Sequence, residues 1–252
     1  MTETATMRVL LLGGTGEARA LAAALQPLQP ETEVISSLAG RVPDPALPVG
    51  GQVRIGGFGG VEGMRRWLRD EGIDAVVDAT HPFAATITAH AAQVCAELGL
   101  PHLVLARPAW SPGDAIVVAS DTEAAEVVAQ RGFSRVFLTT GRSGTSAFRG
   151  VDAWFLIRAV TEPDAGTLPA RHELLLSRGP YDYEGELALL RDHRIDALVT
   201  KNSGGDMTQP KLDAAATAGV AVIMVDRPPL PAGVHSVTTV EQARDWVSSL
   251  RR

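Results

Sequence analysis

The sequence predicts an α/β protein of two related Rossmann-like halves, each a doubly wound parallel sheet, facing a cleft and exchanging their terminal strand-helix units. Three observations carry that expectation. Short apolar runs alternate with stretches of helical spacing, the pattern of repeated strand-helix units. Several of those runs end in glycine or polar clusters, where an open parallel sheet presents its ligand-binding edge. The chain also repeats itself. Leu68-Arg69-Asp70, then Ile73-Asp74-Ala75-Val76-Val77, returns as Leu190-Arg191-Asp192, then Ile195-Asp196-Ala197-Leu198-Val199. Arg8-Val9-Leu10-Leu11 corresponds to Arg135-Val136-Phe137-Leu138, and Leu103-Val104-Leu105-Ala106-Arg107-Pro108 to Ile223-Met224-Val225-Asp226-Arg227-Pro228. Three matches in one order, about 120 residues apart, imply two copies of one architecture.

In chain order, a strand over residues 8–12 runs into Gly13-Gly14-Thr15-Gly16-Glu17-Ala18 and then an Ala/Leu-rich helix to about residue 25. Backbone amides at such a helix start point toward the strand end, and glycine lets a phosphate approach without a Cβ in the way. Gly14 and Gly16 fit G-x-G; the third glycine position is Arg19, beside the small Ala18. Gly13, Gly14, Thr15, Gly16 and Glu17 are therefore cofactor candidates. After the next strand, residues 33–37, an NAD site would offer a carboxylate to the ribose; here stand Ser36, Ser37 and Arg41. Hydroxyls and a guanidinium suit a 2′-phosphate, so the reading leans to NADPH. Two charge-assisted hydrogen bonds of roughly 1.5 to 3 kcal/mol each would favour NADPH by about a hundredfold or more.

An irregular loop over residues 43–51 precedes a strand at 52–55, the run Gly56-Gly57-Phe58-Gly59-Gly60, and a helix over 61–71 with Met64, Trp67 and Leu68 on one face. The strand Ala75-Val76-Val77 then meets Asp78-Ala79-Thr80-His81-Pro82-Phe83-Ala84, which reads as a binding rim, with Thr80 and His81 facing the chemistry. Thr80 is the expected N-cap of a helix over 83–96 that ends near Leu98-Gly99, before a strand at 102–106.

The second half has diverged at its rims. Thr139-Thr140-Gly141-Arg142-Ser143-Gly144 stands where the first half has its glycine loop, and Thr200-Lys201-Asn202-Ser203-Gly204 where it has Asp78 to Pro82. A different anionic ligand is expected there. Each half ends in a Pro-rich linker, residues 107–112 and 227–231, followed by one strand and one helix: 115–119 with 122–130, and 234–238 with 240–250. Stiff linkers and equivalent tails predict that each tail crosses to the partner sheet. The expected domains are residues 1–110 with 233–252 packed on them, and 111–232.

With 45% hydrophobic residues, 21% charged and a net charge of -6, the chain lacks the basic surface of a general nucleic-acid binder. A lone Cys95 in an apolar helical pattern suits a reducing cytosol. Residues 1–7 carry no targeting signal, and no apolar run is long enough for a bilayer. A cytoplasmic monomer without a membrane partner is expected. His81, His90 and His102 are not at a metal-ligand spacing. A short-chain dehydrogenase would need Tyr-x-x-x-Lys, which does not occur. A nucleotide-sugar-dependent transferase of two α/β halves and a non-catalytic dinucleotide sensor both stay open.

Together, Gly13-Gly14-Thr15 with Glu17-Ala18-Arg19, the seven-residue rim from Asp78, Thr140-Gly141-Arg142, and Val199-Thr200-Lys201-Asn202-Ser203-Gly204 resemble the precorrin-6A reductase family of cobalamin biosynthesis. The resemblance spans almost the whole chain; the rim and the lysine motif are its specific parts. It implies NADPH-dependent reduction of one double bond in the precorrin-6A macrocycle to give precorrin-6B, with a sister activity on the cobalt-containing ring. Such a hydride transfer depends on alignment over about 3 to 3.5 Å more than on a nucleophile. The substrate is a tetrapyrrole rich in carboxylates. Thr140, Gly141, Arg142, Tyr181, Lys201, Asn202, Ser203 and Gly204 are its expected contacts, with Arg178 a further cation and Tyr183 a neighbouring ring. His81 and Lys201 are the catalytic candidates, His81 because imidazole has an intrinsic pKa suited to proton donation.

Overall fold

Strands buried on both faces of a parallel sheet need near-continuous apolar runs. The strand β1 (Met7–Leu12) is one, buried from Val9 to Leu12. The computed structural model describes residues 6–40, 47–48 and 50–250. They fall into two units, the first comprising the chain up to Pro108 and from Pro228 onward, the second Ala109–Arg227.

In the first unit β1 is followed by α1 (Gly16–Leu25), β2 (Thr32–Leu38), β3 (Gln52–Ile55), α2 (Gly60–Asp70), β4 (Ala75–Asp78), α3 (Ala85–Leu98) and β5 (His102–Leu105). The chain then builds the second unit from β6 (Ile116–Val118), α4 (Asp121–Arg131), β7 (Arg135–Leu138), β8 (Trp154–Ala159), β9 (His172–Leu176), α5 (Tyr183–Asp192), β10 (Ala197–Lys201), α6 (Pro210–Ala218) and β11 (Ala221–Val225). It closes with β12 (His235–Val237) and α7 (Val240–Ser249).

The sheets run β12-β5-β4-β1-β2-β3 and β6-β11-β10-β7-β8-β9, each six-stranded. The pairings are parallel throughout. Each is the doubly wound order of dinucleotide-binding folds, reversing beside β1 and beside β7. The sixth strand of each sheet is the exchanged one. His235 of β12 aligns with Leu103 of β5, and Ile116 of β6 with Ile223 of β11. The seams are equivalent: Ala106 N–H donates to Val237 O at 2.9 Å, Asp226 N–H to Val118 O at 2.8 Å. The sequence repeat has a physical basis at the opposite edge. Asp74 accepts the Arg8 N–H at 2.7 Å, and Asp196 the Arg135 N–H at 3.0 Å, so each repeated aspartate satisfies the amide at its first strand's start.

Period-two alternation feeds two cores in the first unit. Val9, Leu11, Val34 and Val77 pack on Leu21 and Leu25 of α1 and on Ala243 and Val247 of α7. Leu10, Leu12, Ile35 and Val76 pack on Met64 and Leu68 of α2 and Val94 of α3. In the second unit, α5 and α6 bury Leu187, Leu190 and Ala214 against Phe137, Leu156 and Leu198. Here the units part. After β1 the first unit forms α1; after β7 the second forms only a 3-10 turn, Thr145–Phe148.

The start of α3 differs from the sequence expectation. Thr80 is not an N-cap: its N–H and hydroxyl both donate to Asp78, at 2.9 and 2.7 Å. The chain therefore turns through Pro82 and Phe83, and α3 begins at Ala85 with no side-chain cap. Its end is as expected, Gly99 adopting φ +66°.

Candidate active site

In an open α/β sheet the ligand crevice lies beyond the carboxyl ends of the strands, where the order reverses. In the first unit that point separates β1 from β4. Backbone bonds tie the strand ends together: Gly13 N–H donates to Ser37 O, and Ala79 N–H to Leu12 O, each at 2.9 Å. The Thr15 hydroxyl donates to Ala79 O at 2.7 Å and accepts from Ala18 N–H at 3.1 Å. Thr15 thus caps α1 and fastens it to the rim; at 8% exposure its side chain faces inward. Gly14 is exposed with φ +110°, and a Cβ there would meet nothing within 4 Å. Among the described residues, the space that a Cβ would take there is open. Gly16 opens α1, and Glu17 in its first turn pairs with Arg107 beyond β5 at 2.9 Å.

On β4, Asp78 is 1% exposed and accepts from Thr80 twice and from the Thr88 hydroxyl at 2.6 Å. Its carboxylate holds the rim to α3. His81 is exposed, and its Nδ1 accepts the Phe83 N–H at 3.2 Å. In the neutral ring that bond leaves the proton on Nε2. Farther along the edge, Ser36 and Ser37 are buried, at 3% and 6% exposure. Arg41 lies outside the described residues. The residue that touches Ser37 is Arg54 of β3, which donates to its hydroxyl at 3.3 Å. Partial burial lowers the Arg54 pKa.

The second unit reverses its strand order between β7 and β10. Lys201 Nζ donates to Thr140 O at 2.8 Å and lies 3.9 Å from Asp121 on α4. Burial lowers the Lys201 pKa, partly opposed by the charge of Asp121. Gly144 lets this cluster close, since a Cβ there would fall 2.3 Å from the Thr140 hydroxyl. Gly141 and Gly204 hold φ of +76° and +65°, turning the chain at the two loops. Arg142 is exposed, and Ser203 is buried with its N–H on Lys201 O.

Asn202 occupies an unexpected place. Its Oδ1 accepts the Trp110 N–H at 2.9 Å, its Nδ2 donates to Trp110 O at 3.3 Å, and its carbonyl accepts from Arg227 Nε at 2.7 Å. Its side-chain amide thus clamps the segment by which the chain enters this unit, and its backbone carbonyl the segment by which the chain leaves. Tyr181 stacks on Arg158, 3.9 Å from ring centroid to guanidinium, with its hydroxyl donating to Ser177 O. Tyr183 donates to Thr217, and Arg178 is exposed.

Sequence reasoning missed Arg54, Arg107 and Asp121. Arg54 is recognisable only from the register that sets it beside Ser37, and Asp121 only once α4 is known to pack in the second unit. Among the described residues no group of three or more His, Cys, Asp or Glu is placed to hold a metal ion, and no helix is long and apolar enough to cross a membrane.

Fold and rims define a class: a two-unit α/β protein of doubly wound parallel sheets, with an open glycine loop at the switch point of the first. Comparison with known proteins narrows it. Residues 8–248 match the family described as precorrin-6x reductase CbiJ/CobK. The precorrin-6A reductase of Mycobacterium tuberculosis is 70% identical over 243 residues, covering 96% of this chain and 98% of that one. That of Rhodococcus erythropolis is 54% identical over 249 residues, covering 97% and 99%. A solved structure of CobK precorrin-6A reductase matches with a TM-score of 0.86 at 36% identity, covering 97% of each chain. The chain belongs to the precorrin-6x reductase family.

Proposed function

We propose that this protein reduces precorrin-6A to precorrin-6B, with NADPH as the reductant held by the first unit and the tetrapyrrole held by the second. The observation that carries the division of labour is the difference at the two switch points. β1 is followed by a glycine loop and a full helix, whose N-terminal amides and dipole favour a pyrophosphate, whereas its counterpart β7 is followed by a 3-10 turn. Family membership and the 70% identity to a precorrin-6A reductase support the chemistry.

When bound, NADPH supplies a hydride, and reducing one ring double bond takes up a proton besides. The chain's own groups set the conditions. Gly13, Gly14 and the start of α1 would receive the cofactor's phosphates, and Thr80, held on Asp78, and His81 would supply polar groups to it from the neighbouring strand end. His81, whose Nδ1 accepts the Phe83 N–H, would supply an imidazole at this rim. Lys201 loses its proton more readily than an exposed lysine, because burial penalises the ammonium, and Asp121 limits that effect. It offers a charge to a substrate carboxylate alongside Arg142, the Thr140-Gly141 loop, Ser203-Gly204 and Tyr181. Asn202 acts from beneath, by holding Trp110 and Arg227.

Anaerobic incubation with precorrin-6A and NADPH tests this. Substrate-dependent loss of nicotinamide absorbance should accompany a change in the macrocycle's visible spectrum. A protein that binds both compounds yet leaves the spectrum unchanged would remove the reductase reading. Running the cobalt-containing ring in parallel decides between the two substrates.

A further inference from the structure

Arg54 stands beside Ser37 at the carboxyl end of β3, one strand out from β2. Its Nη1 donates to the Ser37 hydroxyl at 3.3 Å and to Gly56 O at 2.5 Å, and its Nη2 to Gly57 O at 2.8 Å. The guanidinium rests 3.9 Å from the Phe58 ring centroid and 5.4 Å from that of Trp67. All these partners are neutral, and among the described residues no carboxylate lies within 4 Å. Arg8, Arg107 and Arg158 are matched to acids, Arg8 to Glu33 and Glu71, Arg107 to Glu17 and Arg158 to Glu186, whereas Arg135, like Arg54, rests on a carbonyl and an aromatic ring, but at the amino end of its strand. Arg54 is thus a fixed, partly desolvated positive charge with Nε–H still to satisfy. The loop beside it leaves space for a ligand: Gly56, Gly59 and Gly60 have positive φ, and a Cβ on any of them would meet nothing within 4 Å.

The end of the second strand is where a dinucleotide's adenosine ribose is read. We propose that Arg54 is a specificity-determining residue that recognises the 2′-phosphate of NADPH, an inference that rests on the first unit holding a nicotinamide cofactor. The Nε–H and the remaining Nη2 hydrogen lie on one edge of the guanidinium, the fork that grips a phosphate in two places. Ser37 then serves as a prop that sets the fork rather than as a phosphate contact.

The test is titration of the full-length protein with NADPH and with NADH, followed by quenching of its fluorescence, for the wild type, Arg54→Gln, Arg54→Lys and Arg41→Ala. Arg54→Gln should weaken NADPH by about ten- to a hundredfold, the equivalent of one charge-assisted contact, and leave NADH within about twofold. Arg54→Lys, which keeps the charge, should retain part of the preference, and does so as the informative variant if the glutamine protein fails to fold. Equal weakening of both cofactors by either variant overturns the proposal, as does loss of the whole preference in Arg41→Ala alone. Wild-type protein that binds neither nicotinamide would instead overturn the cofactor reading beneath it.

Discussion

The second strand of each sheet leads to a guanidinium, and the two units treat it in opposite ways. In the first, Arg54 reaches the end of β2 from the neighbouring strand and meets a hydroxyl, two carbonyls and aromatic faces. In the second, Arg158 sits on β8 itself, at the position that the register makes equivalent to Ser37, and is closed into a two-pronged pair with Glu186 at 3.1 and 2.6 Å. Arg158 and Glu186 are 6% and 2% exposed. One charge meets only neutral groups; the other is paired inside the fold. The same contrast recurs at the opening strands, an open glycine loop with a helix against Thr140, Lys201 and Asp121 closed over a 3-10 turn. A duplicated sheet therefore does not fix how the charges at its rim are paired.

That contrast can be broken at its strongest point. Glu186→Ala strands a buried guanidinium and should cost about 3–5 kcal/mol in urea unfolding, whereas Arg54→Gln should cost about 1 kcal/mol. Equal costs would mean that the two arginines are not differently committed. The rims offer a second comparison. Asp78 is bound by Thr80 and Thr88, while its counterpart Thr200 makes one long hydrogen bond, at 3.4 Å. Asp78→Ala should lose roughly 2–3 kcal/mol and Thr200→Ala less than about 1 kcal/mol, and a reversed order in the same denaturation series would refute the assignment of Asp78 as the strap.

A smaller difference depends on pH. Burial lowers the His102 pKa from its ordinary 6.5, with Asp78 partly opposing, and the equivalent position in the second unit is Val222. Above 6.5 the imidazole is neutral folded or unfolded. As the pH falls below that value the unfolded chain takes up the proton first, so stability is lost. His102→Val should unfold at increasingly higher temperature than wild type as the medium is acidified; a constant gap would show that His102 is not buried as described. The smallest effect is an absence of reaction. The Cys95 thiol, buried and pushed up to about 12, should resist alkylation in the native protein and react only on unfolding.

The sequence displayed the architecture better than the site. The repeats around Asp74 and Asp196 were legible because each performs the same local task, satisfying an amide at the start of a strand, and the exchange followed from two like tails after stiff linkers. The strands β8 and β9 left no matching signal, since they lie in the stretch where the copies have drifted apart. Side-chain commitment was the harder quantity. Ser36, Ser37 and Asn202 are polar residues at rim positions, and residue type does not disclose that the serines are buried or that the Asn202 amide is occupied by Trp110. Arg54 escaped notice for the converse reason: its significance depends on a strand neighbour 17 positions away in the chain.

The exchanged tails also order events at the ribosome. Strand β12, the last of the first sheet, is translated only after the entire second unit, so β5 waits with a bare edge and α1 without Ala243 and Val247 to cover it. The second sheet meets no such delay, because β6 precedes its other strands. A nascent chain halted before residue 235 therefore holds a sheet that can mature beside one that cannot, and its uncovered apolar surface marks it for chaperones and proteases rather than for work.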